Sequence, residues 1–257
     1  KLSLVIKYGK YQSKRCFRTW YNVGMKILAI IPARGGSKSI PHKNVVNVGG
    51  KPLIAWSITT ALKCKYITKT VVTSDDSKIL EVAKKYGASV IVRPKKYAHD
   101  SSLMTPVIID CLRQLRKNNE EYDLLVLLQP TSPLRNSNDL NKSFRLFFDK
   151  KATALISGYE PEKSPFKSFT VKSNGFLQGL VDNKTPFMNR QFLPTTFYPN
   201  GAIYIIYVSD FLNLNSFFTS KTFPFYMPVK KSLDIDTLND LERIGKILRK
   251  RHVSQNK

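Results

Sequence analysis

Four short stretches of the 257-residue chain carry residues whose types and spacing could do chemistry. The first is RGGSKSIPHKN, residues 34–44, where Arg34, Lys38 and Lys43 surround the pair Gly35–Gly36. Adjacent glycines let the backbone curl close to a ligand, and successive N–H groups can form a nest for an anion. The three cations add fixed positive charge. The pattern predicts a phosphate-binding loop, although it is neither G-x-x-x-x-G-K-[ST] nor G-x-G-x-x-G. The second stretch is LQPTSPLR, residues 128–135, in which two prolines stiffen a loop carrying Gln129, Thr131, Ser132 and Arg135. The same residues would serve equally as a turn and the N-cap of a following helix. The third, RQFLPTTFYPNGAIY (190–204), sets Arg190 and Asn200 near the start of a strand. The fourth, LDID, places Asp234 and Asp236 two apart, so on an extended segment both carboxylates face the same way. Such a pair suits Mg²⁺, which takes one or two carboxylates and completes its shell with water and phosphate oxygens. Asp236 would also serve as the cap of the last helix. Cations at one strand end and a carboxylate pair at another describe a nucleoside triphosphate site, where catalysis is positioning plus charge stabilisation.

The elements that must position these residues follow from hydrophobic periodicity. KILAIIPA (26–33), TKTVVTS (68–74), ASVIVRP (88–94), DLLVLLQ (123–129) and TALISGY (153–159) are apolar runs of strand length. Between them, apolar residues at helical spacing predict helices over 52–63, after Asp75 and Asp76, which both supply capping chemistry, from Thr105 and over 139–149, with Gly87 as a left-handed stop. Strand, loop and helix alternate with short connections, which predicts an α/β fold: a three-layer, mostly parallel, Rossmann-like sheet. In such sheets ligands bind beyond the carboxyl ends of the strands. The rhythm breaks over 160–199, which is rich in Pro, Lys, Asn and Phe and holds a hairpin-like turn at Ser173–Gly175. It reads as an inserted arm. The core resumes with GAIYIIYV, a short helix and LDID, and closes with a helix carrying Leu238, Leu241, Ile244, Ile247 and Leu248.

Composition excludes other classes. Hydrophobic residues at 42% and charged residues at 23% are ordinary globular usage and exclude a disordered or fibrous chain. The longest apolar runs, 124–128 and 202–208, are far below the roughly 18 residues of a membrane-spanning helix. The net charge of +24 points to an anionic partner, yet no block of five like charges occurs. A nucleic-acid-binding module would gather its aromatics and cations on one platform; here most aromatics fall at core positions or in the arm. Cys16, Cys64 and Cys111 match no metal or redox spacing, and a reduced, cytoplasmic protein is expected. Residues 1–24 carry six cations and no acid, and read as a basic leader that the fold does not need, with Met25 as the working start of a domain over 25–257.

IIPARGGSKSIPHKN, LQPTSPLR, RQFLPTTFYPNGAIY and DIDT, in that order, resemble the cytidylyltransferases that activate sialic acid and its bacterial relatives, the legionaminic and pseudaminic acids. The resemblance runs from about Met25 to about Leu248. It implies that the anomeric hydroxyl of a nine-carbon 2-keto acid sugar attacks the α-phosphate of CTP, giving the CMP-sugar and pyrophosphate. It implies Arg34, Gly36, Ser37, Lys38 and Lys43 on the triphosphate and Asn44 and Arg93 near the cytidine. Gln129, Arg190 and Asn200 would address the sugar acid, and Asp234 and Asp236 would hold Mg²⁺, with Mn²⁺ as a substitute. Arg34, Lys43, Asp234 and Asp236 would carry the catalysis. The arm resembles the family's dimerisation arm, with Lys167 entering the other protomer's site of a homodimer. Neither nucleic acid nor membrane is implied as a partner. Two residues depart from the family pattern: Tyr198 stands where an arginine is usual near the sugar, and Met104 where a small hydroxyl residue lies near the nucleotide. A nucleotidyltransferase for another sugar or sugar phosphate is the alternative activity.

Overall fold

The computed structural model describes residues 24–37, 39–99 and 102–255. All but Gly24 of the leader expected over 1–24 lies outside the described residues, as does Lys38. The first strand, β1 (Ile27–Pro32), is buried along its whole length. A two-residue ladder of β2 (Asn47–Val48) and β3 (Lys51–Pro52) leads into α1 (Leu53–Leu62). β4 (Lys69–Ser74), α2 (Ser77–Lys85) and β5 (Ser89–Val92) follow, then α3 (Met104–Lys117), β6 (Leu124–Leu127), α4 (Ser137–Asp149) and β7 (Ala154–Tyr159). The arm contains the hairpin β8 (Phe169–Val171) and β9 (Leu177–Gly179), turned at Gly175 with φ +84°. β10 (Tyr198–Tyr207), α5 (Val208–Leu214), β11 (Thr222–Tyr226) and α6 (Leu238–Gln255) complete the chain.

Seven strands form one sheet in the order β11-β7-β10-β6-β1-β4-β5. Six run the same way, and β10 lies antiparallel between β6 and β7. The alternation within β1 explains the layers: Ile27, Ala29 and Ile31 face α1, α2 and α4, while Leu28 and Ile30 face α3 and α5. Phe144 and Phe147 of α4 anchor the first layer, and Ile108, Cys111 and Phe211 the second. A third apolar cluster lies under the loops: Ile40, Leu53, Leu134 and Ile235 pack with Ile244 and Leu248 of α6. It seats the first loop and the LDID segment on one base.

The sequence-predicted strands and helices match within a few residues, with two differences. β11 was not among the expected strands. It carries Pro224, and a proline is tolerated there because β11 is an edge strand. Residues 233–236 lie outside the sheet and outside any helix. Among the described residues no helix is long and apolar enough to cross a membrane.

Phe144 is fully buried against Tyr66 and Phe148, at centroid distances of 4.9 and 6.2 Å. Phe144→Ala is therefore expected to cost about 3–5 kcal/mol in urea denaturation; a loss under about 1 kcal/mol would contradict this packing.

Candidate active site

The carboxyl ends of β1, β4, β5, β6, β7 and β11 share one edge of the sheet, and the antiparallel β10 brings its amino end, Tyr198–Gly201, to the same edge. Every motif singled out in the sequence therefore opens on that edge or in the arm beside it.

The first loop leaves β1 at Ala33, whose N–H donates to the Thr73 carbonyl. Two contacts shape it. Asn44 Nδ2 donates to the Arg34 carbonyl at 2.9 Å and draws the ends of the loop together. The Gly35 N–H donates to Asp75 Oδ1 at 3.1 Å. A Cβ on Gly35 would stand 2.7 Å from Asp76 Cβ, so only glycine allows this approach. Gly36 faces open space. Arg93 follows β5 and is buried, with Nη2 donating to the Thr73 carbonyl at 2.9 Å and Nε without a hydrogen-bond partner. Burial pulls its pKa down; Asp75 opposes that shift and Arg34 adds to it. Asp75 thus shares its surroundings with two guanidinium groups. The sequence reading gave both aspartates to helix capping, but Asp76 alone caps α2, accepting from the N–H groups of Lys78 and Ile79. The only signal for Asp75 was the presence of a second aspartate where one suffices.

The LQPTSPLR stretch is built around Arg135, which is fully buried. Its Nη1 donates to the carbonyls of Gln129 and Ser132 at 2.8 and 2.6 Å, and its Nη2 to Ser57 Oγ on α1. Burial lowers this guanidinium to about 9, against the pull of Asp234 and Asp139, so it stays charged at neutral pH. The cap of α4 is Asn136, in a reciprocal box with Asp139. Loop and cap are therefore both present, on successive residues. Asp139 also accepts from Lys231 Nζ at 2.7 Å, which ties α4 to the segment entering LDID.

At the start of β10 the register shifts between Pro199 and Tyr204, and Gly201 takes φ +69° against the Gln129 side chain. The resemblance implies a sugar contact for Asn200, but its side chain is committed inside the protein. Oδ1 accepts from Ser157 Oγ at 2.6 Å and from the Ala202 N–H, and Nδ2 donates to Ser232 Oγ at 2.9 Å. Asn200 is a clamp between β7, β10 and the approach to LDID. Arg190 and Lys167 lie exposed in the arm, and Arg190 Nη2 stands 3.6 Å from Glu160 Oε1. That pair bridges residues near the two ends of the arm.

Asp234 and Asp236 flank Ile235, which is fully buried and donates its N–H to the Thr131 carbonyl. On either side of it Asp234 is half-buried and Asp236 is exposed. Asp234 Oδ1 accepts from Ser132 Oγ at 3.2 Å, and Asp236 Oδ1 lies 3.3 Å from the largely buried Lys43 Nζ. The cap expected from Asp236 falls instead to Thr237. Thr237 Oγ1 accepts from the Asp240 N–H, and Asp240 Oδ2 accepts from the Thr237 N–H. Asp236 is thereby free of capping. Among the described residues no three His, Cys, Asp or Glu side chains gather as a metal cage. A two-carboxylate set fits Mg²⁺, which keeps several waters and shares phosphate oxygens.

The fold and this edge define a nucleotidyltransferase type of architecture. The CTP complex of CMP:2-keto-3-deoxy-manno-octonic acid synthetase superimposes with a TM-score of 0.64 over 88% of this chain and 99% of that one, at 17% identity. The chain belongs to the cytidylyltransferase family, whose model matches residues 28–257. It is 36% identical over 227 residues to the pseudaminic acid cytidylyltransferase of Campylobacter jejuni, covering 88% of this chain and 97% of that one. It is 34% identical over 218 residues to the N-acylneuraminate cytidylyltransferase of Streptococcus agalactiae, covering 84% of this chain and 52% of that protein.

The capping assignment gives a direct test. Thr237→Ala should cost about 1 kcal/mol in chemical denaturation, whereas Asp236→Asn should stay within about 0.5 kcal/mol of the parent. A larger loss for Asp236→Asn than for Thr237→Ala would return the cap to Asp236.

Proposed function

We propose that this chain transfers CMP from CTP to the anomeric hydroxyl of a nine-carbon 2-keto acid sugar, releasing pyrophosphate. The observation that carries the reading is the convergence of the cationic first loop, the Gln129 loop and the LDID carboxylates on one sheet edge, in a chain of this family. The pseudaminic acid cytidylyltransferase is 36% identical and is matched over 97% of its length, which makes pseudaminic acid the first candidate.

In the reaction a bond forms between the sugar oxygen and the α-phosphorus, and the bond to the oxygen bridging to the β-phosphate breaks. Pyrophosphate leaves and the hydroxyl proton is released. Arg34 and Lys43 face the negative charge of the phosphates, with the open Gly36 backbone beside them. Lys38 is placed there by the resemblance alone. Ser37 Oγ accepts from the Ile40 N–H and shapes the same loop. Arg93 and Asn44 fix the wall on the cytidine side. Gln129, held by Arg135 and Gly201, and Arg190 address the sugar, and a planar guanidinium suits a carboxylate. Mg²⁺, or Mn²⁺ in its place, would supply charge neutralisation and orientation of the triphosphate when bound. Asp234 and Asp236 are the residues that would hold it.

The arm supports a homodimer. It exposes Phe176, Leu177, Phe187 and Phe192, more apolar surface than an isolated arm would keep in water. Lys167 would then serve the other protomer's site. Location in the cytoplasm is supported by Cys64 and Cys111, both free thiols.

The test is pyrophosphate release from CTP with a panel of acid sugars. Release is expected with pseudaminic, legionaminic or N-acetylneuraminic acid; none with any of the three would refute the reading. Asp234→Asn and Asp236→Asn should each fold and turn over at least ~100-fold more slowly, with partial rescue by Mn²⁺; Asp236→Asn should melt like the parent, and Asp234→Asn somewhat lower, because it removes a charge facing Arg135. Near-normal turnover of both variants at low Mg²⁺ would make the carboxylate pair structural.

A further inference from the structure

Ser132 has no exposed surface, and its hydroxyl lies between two acceptors: the Asn200 carbonyl at 3.1 Å and Asp234 Oδ1 at 3.2 Å. A serine hydroxyl has one proton and can donate only one hydrogen bond at a time. A carboxylate is the stronger acceptor, because hydrogen bonds to charged oxygens are about twice as strong as neutral ones. A buried carbonyl tolerates incomplete pairing better than a buried donor does. The proton therefore belongs to Asp234.

The atom that donates it is fixed from every side. The Ser132 carbonyl is held by Arg135 Nη1, the Ser132 N–H donates to the Gln129 carbonyl, and the next residue but one, Leu134, is fully buried. A Cβ on Gly201 would stand 3.1 Å from Ser132 Oγ, so the hydroxyl is also packed closely from the β10 side. Among the described residues Ser132 is the donor that reaches Asp234, whereas Asp236 has Lys43.

We infer that Ser132 is a positioning residue for the metal: it holds Asp234 by Oδ1 and leaves the other carboxylate oxygen available to a cation. The inference rests on the metal-binding reading of Asp234 given above. Hydrogen bonds that orient a ligating group are worth roughly 10–100-fold in metal affinity.

The experiment measures Mn²⁺ binding to the full chain by electron paramagnetic resonance, alongside the Mg²⁺ dependence of pyrophosphate release and the melting temperature. Ser132→Ala should weaken Mn²⁺ binding about 10-fold and raise the half-saturating Mg²⁺ by a similar factor, while kcat at saturating Mg²⁺ falls far less. Ser132→Cys, which keeps a weak donor at the same atom, should lose less than Ser132→Ala. In an Asp234→Asn background the effect of Ser132→Ala on Mn²⁺ binding should vanish. A Ser132→Ala variant that melts lower but binds Mn²⁺ like the parent, while Asp234→Asn binds it weakly, would overturn the role of Ser132 and leave the metal site standing. If Asp234→Asn binds Mn²⁺ like the parent, the metal reading and this inference both fall.

Discussion

The buried charge of Arg135 is the constraint on which the site depends. An isolated guanidinium in a protein interior costs on the order of several kcal/mol, so its surroundings must answer it. They do so with the carbonyls of Gln129 and Ser132, the Ser57 hydroxyl, and the nearby carboxylates of Asp139 and Asp234. These partners come from four different parts of the fold. Gln129 and Ser132 belong to the loop that follows β6, Ser57 comes from α1 in the core, Asp139 opens α4, and Asp234 is a candidate metal ligand. One internal cation thus sets the loop, the helix that follows it and the charge environment of the carboxylate pair. Lys231 on Asp139 extends the same arrangement to the segment that delivers LDID.

The antiparallel β10 is the second element of that design. A strand running parallel to its neighbours would have carried Asn200 and Gly201 to the opposite edge. Reversal brings them to Gln129 and Ser132, and the irregular register there gives Gly201 its positive φ and its contact with Gln129. Asn200 then locks β7, β10 and Ser232 together through Ser157, so the Gln129 loop and the approach to LDID share one hydrogen-bonded wall.

What was legible in the sequence was local. Gly35–Gly36 among cations, two prolines around Thr131 and Ser132, and carboxylates two apart each declare a chemistry within a few residues. Continuous apolar runs declare buried strands in the same way. What was hidden depends on partners far along the chain. Arg135 looked like one more loop polar group, because nothing within LQPTSPLR says that Ser57 and the core will enclose it. Thr237 took the cap from Asp236 because Asp240 completes a reciprocal pair with it. Asp75 looked redundant beside Asp76 until the fold brought Gly35 to it. The direction of β10 follows from the pairing of distant strands, and β11 was masked by Pro224.

The central claim is that this edge binds CTP and a divalent cation together, the cation on LDID and the triphosphate on residues 34–44. Anomalous diffraction from crystals grown with Mn²⁺ and CTP tests it most directly. The account predicts a manganese peak at carboxylate-ligand distance, about 2.0–2.2 Å, from Asp234, Asp236 or both, with phosphate oxygens in the same coordination shell and the Arg34 loop around them. A manganese peak away from both aspartates, or a triphosphate bound elsewhere on the sheet, would contradict it.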